Sequence, residues 1–360
     1  MSSSTLFLKN TSGKVFRLTL LILLVLLGIG ETIARTEFFQ APLTPPQLGS
    51  SHYQLGHKLA WLDAAIKRNG PVDCIMLGNS IVGRAFDPKG FERAYKDVTG
   101  RDIHCFNFGI NASTASSARV LSHILIDKYQ PRILILGTDP RDYALSSNDP
   151  DVKTIVDSAW IRYRLGEFSL DGWLTDVSYL YRYRQHISRL LRFEYKDTLW
   201  SDTNLNFPIL ANGLTEIDKV NLLVNQPPNP GDMSEEVAYF KSIYSPYKML
   251  DESLVALEAI LKSNEAGTQV IIVEMPVADG LYSFFENGEA DYNRYVRRVS
   301  ELASLHHVPF FRTEPLDLIP ADGWSDYIHL NPQGAHAFST WLGQQVAGLD
   351  GQGTIEALRP

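Results

Sequence analysis

The chain of 360 residues carries 33 Lys and Arg against 41 Asp and Glu, a formal net charge of −8. That balance excludes a nucleic-acid binder, which needs a basic face. The hydrophobic fraction of 44% is ordinary for a globular protein, and the length can bury one large core or two smaller ones.

The first element is an apolar helix at the N-terminus. Lys9, Lys14 and Arg17 precede an uncharged run of 13 residues, Leu18 to Gly30, and Glu31 follows. The run alone has the length of a signal-peptide core, but Val15 to Ala34 reaches the roughly 20 residues that cross a bilayer, with Arg17 and Glu31 near the two interfaces. Thr32-Ile33-Ala34 is a poor cleavage site, so an uncleaved signal anchor is favoured over a cleaved signal. In both readings the basic end stays inside and the remainder is exported. Residues 1–35 are therefore read as a cytoplasmic N-terminus and anchor, and residues 36–58, rich in Pro, Ser and Thr, as a juxtamembrane spacer.

A short helix is expected over Leu59–Arg68. Strands are expected over Val72–Leu77, Ile103–Phe108 and Arg132–Leu136, with a helix over Ser116–Tyr129 between the last two. The alternation resumes with a helix at Leu250–Lys262, a strand at Gln269–Glu274, a helix at Asp291–Leu305, a short strand at Val308–Arg312 and a closing helix at Gly334–Leu349. Strands and helices at this spacing imply βαβ units and a mainly parallel sheet, a three-layer α/β/α architecture of the flavodoxin-like kind. The domain runs over residues 59–349, and residues 350–360 form a tail. Residues 143–247 break the rhythm and read as a largely helical insertion capping the sheet. Its Tyr/Arg-rich segments, Trp160–Arg164 and Tyr179–Arg184, either line a groove for a sugar polymer or an anionic lipid head, or pack their rings and solvate their arginines. Cys74 and Cys105 lie in strand-like stretches and read as buried free thiols, with a disulfide between adjacent strands as the alternative. No CxxC or HExxH occurs, so neither a metal nor another cofactor is indicated.

In a parallel sheet, ligands bind beyond the carboxyl ends of the strands. The first strand ends in Gly78-Asn79-Ser80, the second in Asn107-Phe108-Gly109-Ile110-Asn111 and the third in Gly137-Thr138-Asp139-Pro140-Arg141-Asp142. Asp326 and His329 stand just before the final helix. A serine hydroxyl is a poor nucleophile until a base takes its proton, and the base works best when a third group orients it. Ser80, His329 and Asp326 supply those three parts if the fold brings the ends together.

These blocks resemble the SGNH (GDSL-like) hydrolase superfamily over about residues 73–142 and 250–349, leaving out the insertion. The resemblance implies that Ser80 is the nucleophile and that its N–H faces the oxyanion. It gives Gly109 a second oxyanion N–H, and makes Asp326 and His329 the orienter and general base of the D-x-x-H block. The G-x-S-x-G elbow of the α/β-hydrolases is absent, since Val82 occupies its last glycine position. The third block departs from the family. Its usual asparagine donor is Asp139 here, and an ionised carboxylate cannot donate. Either Asp139 is protonated, or Arg141 or Asn111 replaces the donor, or the enzyme is weak or inactive. Replacement is preferred, because the Gly137–Asp142 loop resembles that of membrane-anchored relatives that modify cell-surface polymers. Asn79 and Asp139 then border the site. The resemblance implies a single-pass protein of a bacterial inner membrane with its catalytic domain in the periplasm. It would be an esterase or O-acyltransferase acting on an exported glycan or acylated envelope polymer, beside an integral-membrane acyl donor protein. The alternative is a non-catalytic envelope assembly or glycan-binding protein that keeps the fold.

Overall fold

The computed structural model describes residues 4–46, 48–50, 52–195, 198–199, 209–313 and 317–351. Five strands, β1 (Cys74–Gly78), β2 (Cys105–Gly109), β3 (Ile133–Thr138), β4 (Gln269–Glu274) and β5 (Phe310–Phe311), form one sheet in the order β2-β1-β3-β4-β5. Every pairing is parallel. The near-continuous apolar runs of β1, β3 and β4 follow from this, since both faces of a parallel sheet are covered. Residues Cys74 to Gly78 and Ile133 to Thr138 are buried throughout.

The crossover helices fall into two layers. The Pro88–Thr99 helix leads from β1 to β2 and packs extensively on the final helix, Pro332–Gly351. The Ala115–Tyr129 helix leads from β2 back across to β3 and packs on Asp251–Leu261. Glu289–Leu305 joins that second layer, where His306 approaches Glu258 at 3.8 Å. The result is the expected three-layer α/β/α arrangement.

Two differences from the expected elements have clear causes. The helix expected over Leu59–Arg68 begins at Tyr53, because the stripe of Leu59 and Leu62 extends back to Leu55, all three buried at i, i+4 and i+7. Residues 53–58 are therefore helix rather than spacer. The Pro88–Thr99 helix is an addition. Asp87 caps it by accepting from the N–H groups of Lys89 and Gly90, Pro88 sits in its first turn, and Gly100 ends it in a left-handed conformation with φ of 71°. Cys74 and Cys105 are register partners on β1 and β2, and both are buried thiols.

The N-terminal helix spans Ser4–Ala34, and its segment Gly13–Ala34, with mean hydropathy 2.0, is long and apolar enough to cross a membrane. Between β3 and β4 lie several short helices, including Ala159–Arg164, Leu170–Val177, Tyr179–Arg182 and Arg184–Leu191, and then the longer Glu235–Tyr244. The expected tail falls mostly outside the described residues, as residues 350 and 351 still belong to the final helix.

Candidate active site

The turn after β1 is built by Asn79. Its side-chain oxygen accepts the Ile81 N–H at 2.8 Å, capping the six-residue helix Ser80–Ala85 and placing Ser80 on its first turn. The opposite half of the site is a tight loop ahead of the final helix. An isolated bridge pairs Trp324 with Leu330, and the Ser325 N–H donates to His329 O at 2.9 Å. Inside that loop Asp326 Oδ1 accepts the N–H groups of Ile328 at 3.0 Å and His329 at 2.9 Å. Asn331 then caps the final helix by accepting from Gln333 and Gly334. A D-x-x-H spacing thus lets one carboxylate hold its own turn and still reach the histidine ring.

The sheet brings the two halves together. His329 Nε2 lies 2.8 Å from Ser80 Oγ, across 249 residues of sequence, and His329 Nδ1 lies 2.8 Å from Asp326 Oδ2. Burial alone would push the Asp326 carboxyl up. The His329 ring and the two loop N–H groups outweigh it and hold the carboxyl down at about 2. Arg84 Nη1, 3.6 Å from Asp326 Oδ2, adds positive charge on the same side. An ionised Asp326 can only accept, so neutral His329 carries its proton on Nδ1 and leaves Nε2 as the acceptor for the Ser80 hydroxyl.

These groups open into a cleft of about 330 Å³ whose walls include Ser80, Arg84, Asn111, Ala112, Arg141, Tyr239 and His329. No residue of the Tyr/Arg-rich segments borders it. Tyr239 comes instead from the Glu235–Tyr244 helix, which the sequence did not single out.

Gly109 is not placed as the second oxyanion donor. Its N–H donates to Asn107 Oδ1 at 2.9 Å, and its α-carbon packs against the backbone of Gly83. A Cβ at position 109 would collide with Gly83 and sit 2.8 Å from Asn79 O. The glycine is there for close packing of β2 on the Ser80–Ala85 helix. Three residues on, Ala112 lines the cleft with φ of 59°, and its N–H has no partner among the described residues. Ser80, on the first turn of its helix, where backbone N–H groups have no intrahelical partner, lines the cleft as well. A glycine at 112 would have marked the position in the sequence, because a left-handed conformation favours glycine. Alanine hides it.

Asp139 does not face the cleft. It is buried behind Asn79, whose Nδ2 donates to Asp139 Oδ2 and, at 2.9 Å, to Asp142 Oδ1. Asp139 Oδ1 also accepts the Arg141 N–H at 2.7 Å. Burial pushes the Asp139 carboxyl up, and burial with the neighbouring Asp139 carboxylate pushes Asp142 well above the usual range. The pair thus clamps the Asn79–Ser80 turn from behind. Arg141 and Asn111 both border the cleft. Arg141 is buried, held by Nε to Tyr239 Oη at 2.9 Å and Nη1 to Ser113 O at 3.3 Å. Asn111 donates its backbone N–H to Gln54 Oε1 at 2.6 Å, which occupies that donor. Glu274, at the end of β4, holds Tyr292 Oη and the Thr313 N–H and serves the core. Among the described residues no cluster of three or more His, Cys, Asp or Glu side chains is arranged to hold a metal.

No family model and no curated protein matches the chain. Solved structures similar to it include the inhibitor-bound aryl esterase of M. smegmatis, at 13% identity, with 77% of this chain and 100% of that one covered and a TM-score of 0.36. A lipase/acylhydrolase from Enterococcus faecalis has 13% identity, coverages of 77% and 96% and a TM-score of 0.35. Est24, a carbohydrate acetylesterase from Sinorhizobium meliloti, has 11% identity, coverages of 77% and 99% and a TM-score of 0.37.

Proposed function

We propose that this chain is a serine esterase or O-acyltransferase of the SGNH type, anchored by its N-terminal helix and acting outside the cytoplasmic membrane on an acylated glycan or envelope polymer. The observation that carries this reading is the continuous line of two 2.8 Å contacts from Ser80 Oγ through the His329 ring to Asp326.

In the proposed reaction Ser80 Oγ attacks the ester carbonyl carbon while its proton passes to His329 Nε2. Asp326 keeps Nδ1–H in place and stabilises the imidazolium that forms. The carbonyl oxygen becomes an oxyanion held by the N–H groups of Ser80 and Ala112. Arg141 supplies the third donor, taking the part for which the family resemblance expects an asparagine. A guanidinium has five N–H donors, and two of its nitrogens are already fixed by Tyr239 and Ser113, so the group is pre-oriented. Collapse of the intermediate breaks the C–O bond to the leaving alcohol, which takes the proton from His329. Water then attacks the acyl-enzyme in hydrolysis, or a sugar hydroxyl attacks it in transfer. His329 acts again as base, and Ser80 recovers its proton. A transferase would draw its acyl group from an integral-membrane donor protein.

Tyr239 and Phe240, beside Glu236 and Arg84, give the cleft wall aromatic faces among charged groups, which suits a sugar ring with hydroxyls at its edge. The test is labelling with a fluorophosphonate, which phosphonylates an activated serine. Mass spectrometry should find one adduct on Ser80, lost in Ser80→Ala and in His329→Ala. A folded, unlabelled wild-type chain would overturn the enzyme reading. Comparing hydrolysis of a small acetate ester with acetyl transfer to an oligosaccharide separates esterase from transferase.

A further inference from the structure

The apolar N-terminal helix does not end in a free linker. Its last turn is locked to the insertion between β3 and β4. Glu31 accepts from Ser178 Oγ at 2.8 Å and from the N–H groups of Tyr179 at 2.9 Å and Leu180 at 3.0 Å. Arg35 pairs with Glu31 at 2.7 Å and donates through Nη2 to Val177 O at 2.8 Å. Leu180 packs against Gly30, 3.4 Å from the place a Cβ would take.

The Leu170–Val177 helix runs up to this junction and carries an apolar stripe on its outer side. Leu170, Trp173 and Val177, spaced i, i+3 and i+7, are 61%, 40% and 41% exposed. The inner side is packed: Gly172 and Thr175 are buried, and Gly172 abuts Ala159 O. Phe168, just before the helix, and Phe38, just after the anchor, are 80% and 91% exposed. Two guanidinium groups approach the Tyr179 ring, Arg35 at 4.7 Å and Arg182 at 4.5 Å from its centroid. Aromatic rings and arginines beside an apolar stripe are what a membrane–water interface selects.

We propose that Phe38, Phe168 and the Leu170–Val177 stripe lie in the interfacial layer of the bilayer that the Gly13–Ala34 helix crosses. The catalytic body is then seated on the membrane rather than tethered above it. The proposal rests on the anchor reading. Continuity identifies the occupant. Val177, at one end of the stripe, is hydrogen-bonded to Arg35, one residue past the membrane-spanning segment. An eight-residue helix is about 12 Å long, and interfacial helices sink about 5–10 Å into the headgroup boundary. A stripe fixed so near the exit point faces lipid headgroups before it faces anything else. Neither Tyr/Arg-rich segment borders the Ser80 cleft, and Tyr179–Arg184 finds its use here.

The test uses the full chain in vesicles of phosphatidylcholine and phosphatidylglycerol. Phe168→Cys and Leu170→Cys are labelled with an environment-sensitive nitrobenzoxadiazole probe. Val98→Cys is the control, 57% exposed on the Pro88–Thr99 helix across the sheet from the layer that Arg164 joins to the insertion through Asp127. The unsubstituted chain, whose Cys74 and Cys105 are buried, is the labelling blank. Lipids carrying a shallow spin label should quench the probes at 168 and 170 at least threefold more than at 98. Equal quenching at all three positions, in a chain that stays with the vesicles through an alkaline carbonate wash, overturns the seat and leaves the anchor standing. Release by that wash overturns the anchor reading and the seat with it.

Discussion

Ser80, His329 and Asp326 are legible in the sequence because their chemistry demands particular residue types at particular places. A D-x-x-H loop can close on itself only with an acceptor at its first position, and Asp326 fills that need twice over. The backbone donors are harder to read, since an N–H belongs to every residue and only its conformation makes it special. The family resemblance gives the donor role to Gly109, yet Gly109 packs against Gly83, while Ala112 lines the cleft. Two substitutions separate these roles. Gly109→Ala should lower stability by about 3 kcal/mol or more in denaturant unfolding, because its methyl has no space. Ala112→Gly should stay within about 1 kcal/mol of wild type and remain active, since φ of 59° suits glycine. If Arg141 completes the oxyanion site, Arg141→Met should reduce kcat by roughly 10²–10³-fold with KM little changed. An unchanged kcat would remove Arg141 from that role.

Strand positions follow from short apolar runs, and β4 begins and ends where the sequence puts it. The other strands shift by one or two residues, as hydrogen bonding to neighbours decides where pairing stops. The Pro88–Thr99 helix has start and stop signals in Asp87, Pro88 and Gly100, but its buried stripe of Phe91, Ala94 and Tyr95 is short enough to pass for a loop. The Tyr53–Asn69 helix carries a feature that no periodicity reveals. Lys58 is wholly buried, donating to Asn107 O at 3.1 Å and to Gly213 O, so that it ties β2 to the turn at 213. Burial lowers the Lys58 ammonium to about 7, whereas in the unfolded chain it titrates near 10.5. The unfolded state therefore binds the extra proton between those values, and stability rises with pH across that window. Lys58→Met should flatten the rise between about pH 7 and 10, measured as the urea midpoint at each pH. A slope equal to that of wild type would show that the ammonium is solvated.

The whole molecule decides what meets what. Parallel pairing and the strand order put the ends of β1 and β3 and the loop before the last helix on one rim, and only there do Ser80 and His329 touch. That contact has a pH signature in overall stability. Asp326 falls from an ordinary 3.8 to about 2 on folding, so its contribution is fully present above about pH 4 and disappears as pH drops to about 2. The shift corresponds to about 2 kcal/mol. Asp326→Asn should lose that part of the acid dependence in thermal unfolding between pH 4 and 2, and should also lower kcat by roughly 10⁴-fold. The sequence by itself determined the α/β/α class, the strand positions, the apolar N-terminal helix and the three residues of the serine–histidine–aspartate line. Each of these depends on local pattern or on side-chain chemistry that no other residue supplies. Only the tertiary structure decided that Gly109 packs against Gly83 while Ala112 lines the cleft, that Asp139 is turned away behind Asn79, and that the Tyr179–Arg182 helix meets the N-terminal helix instead of the cleft. Those outcomes depend on backbone direction and on contacts between distant segments, which residue order does not encode position by position.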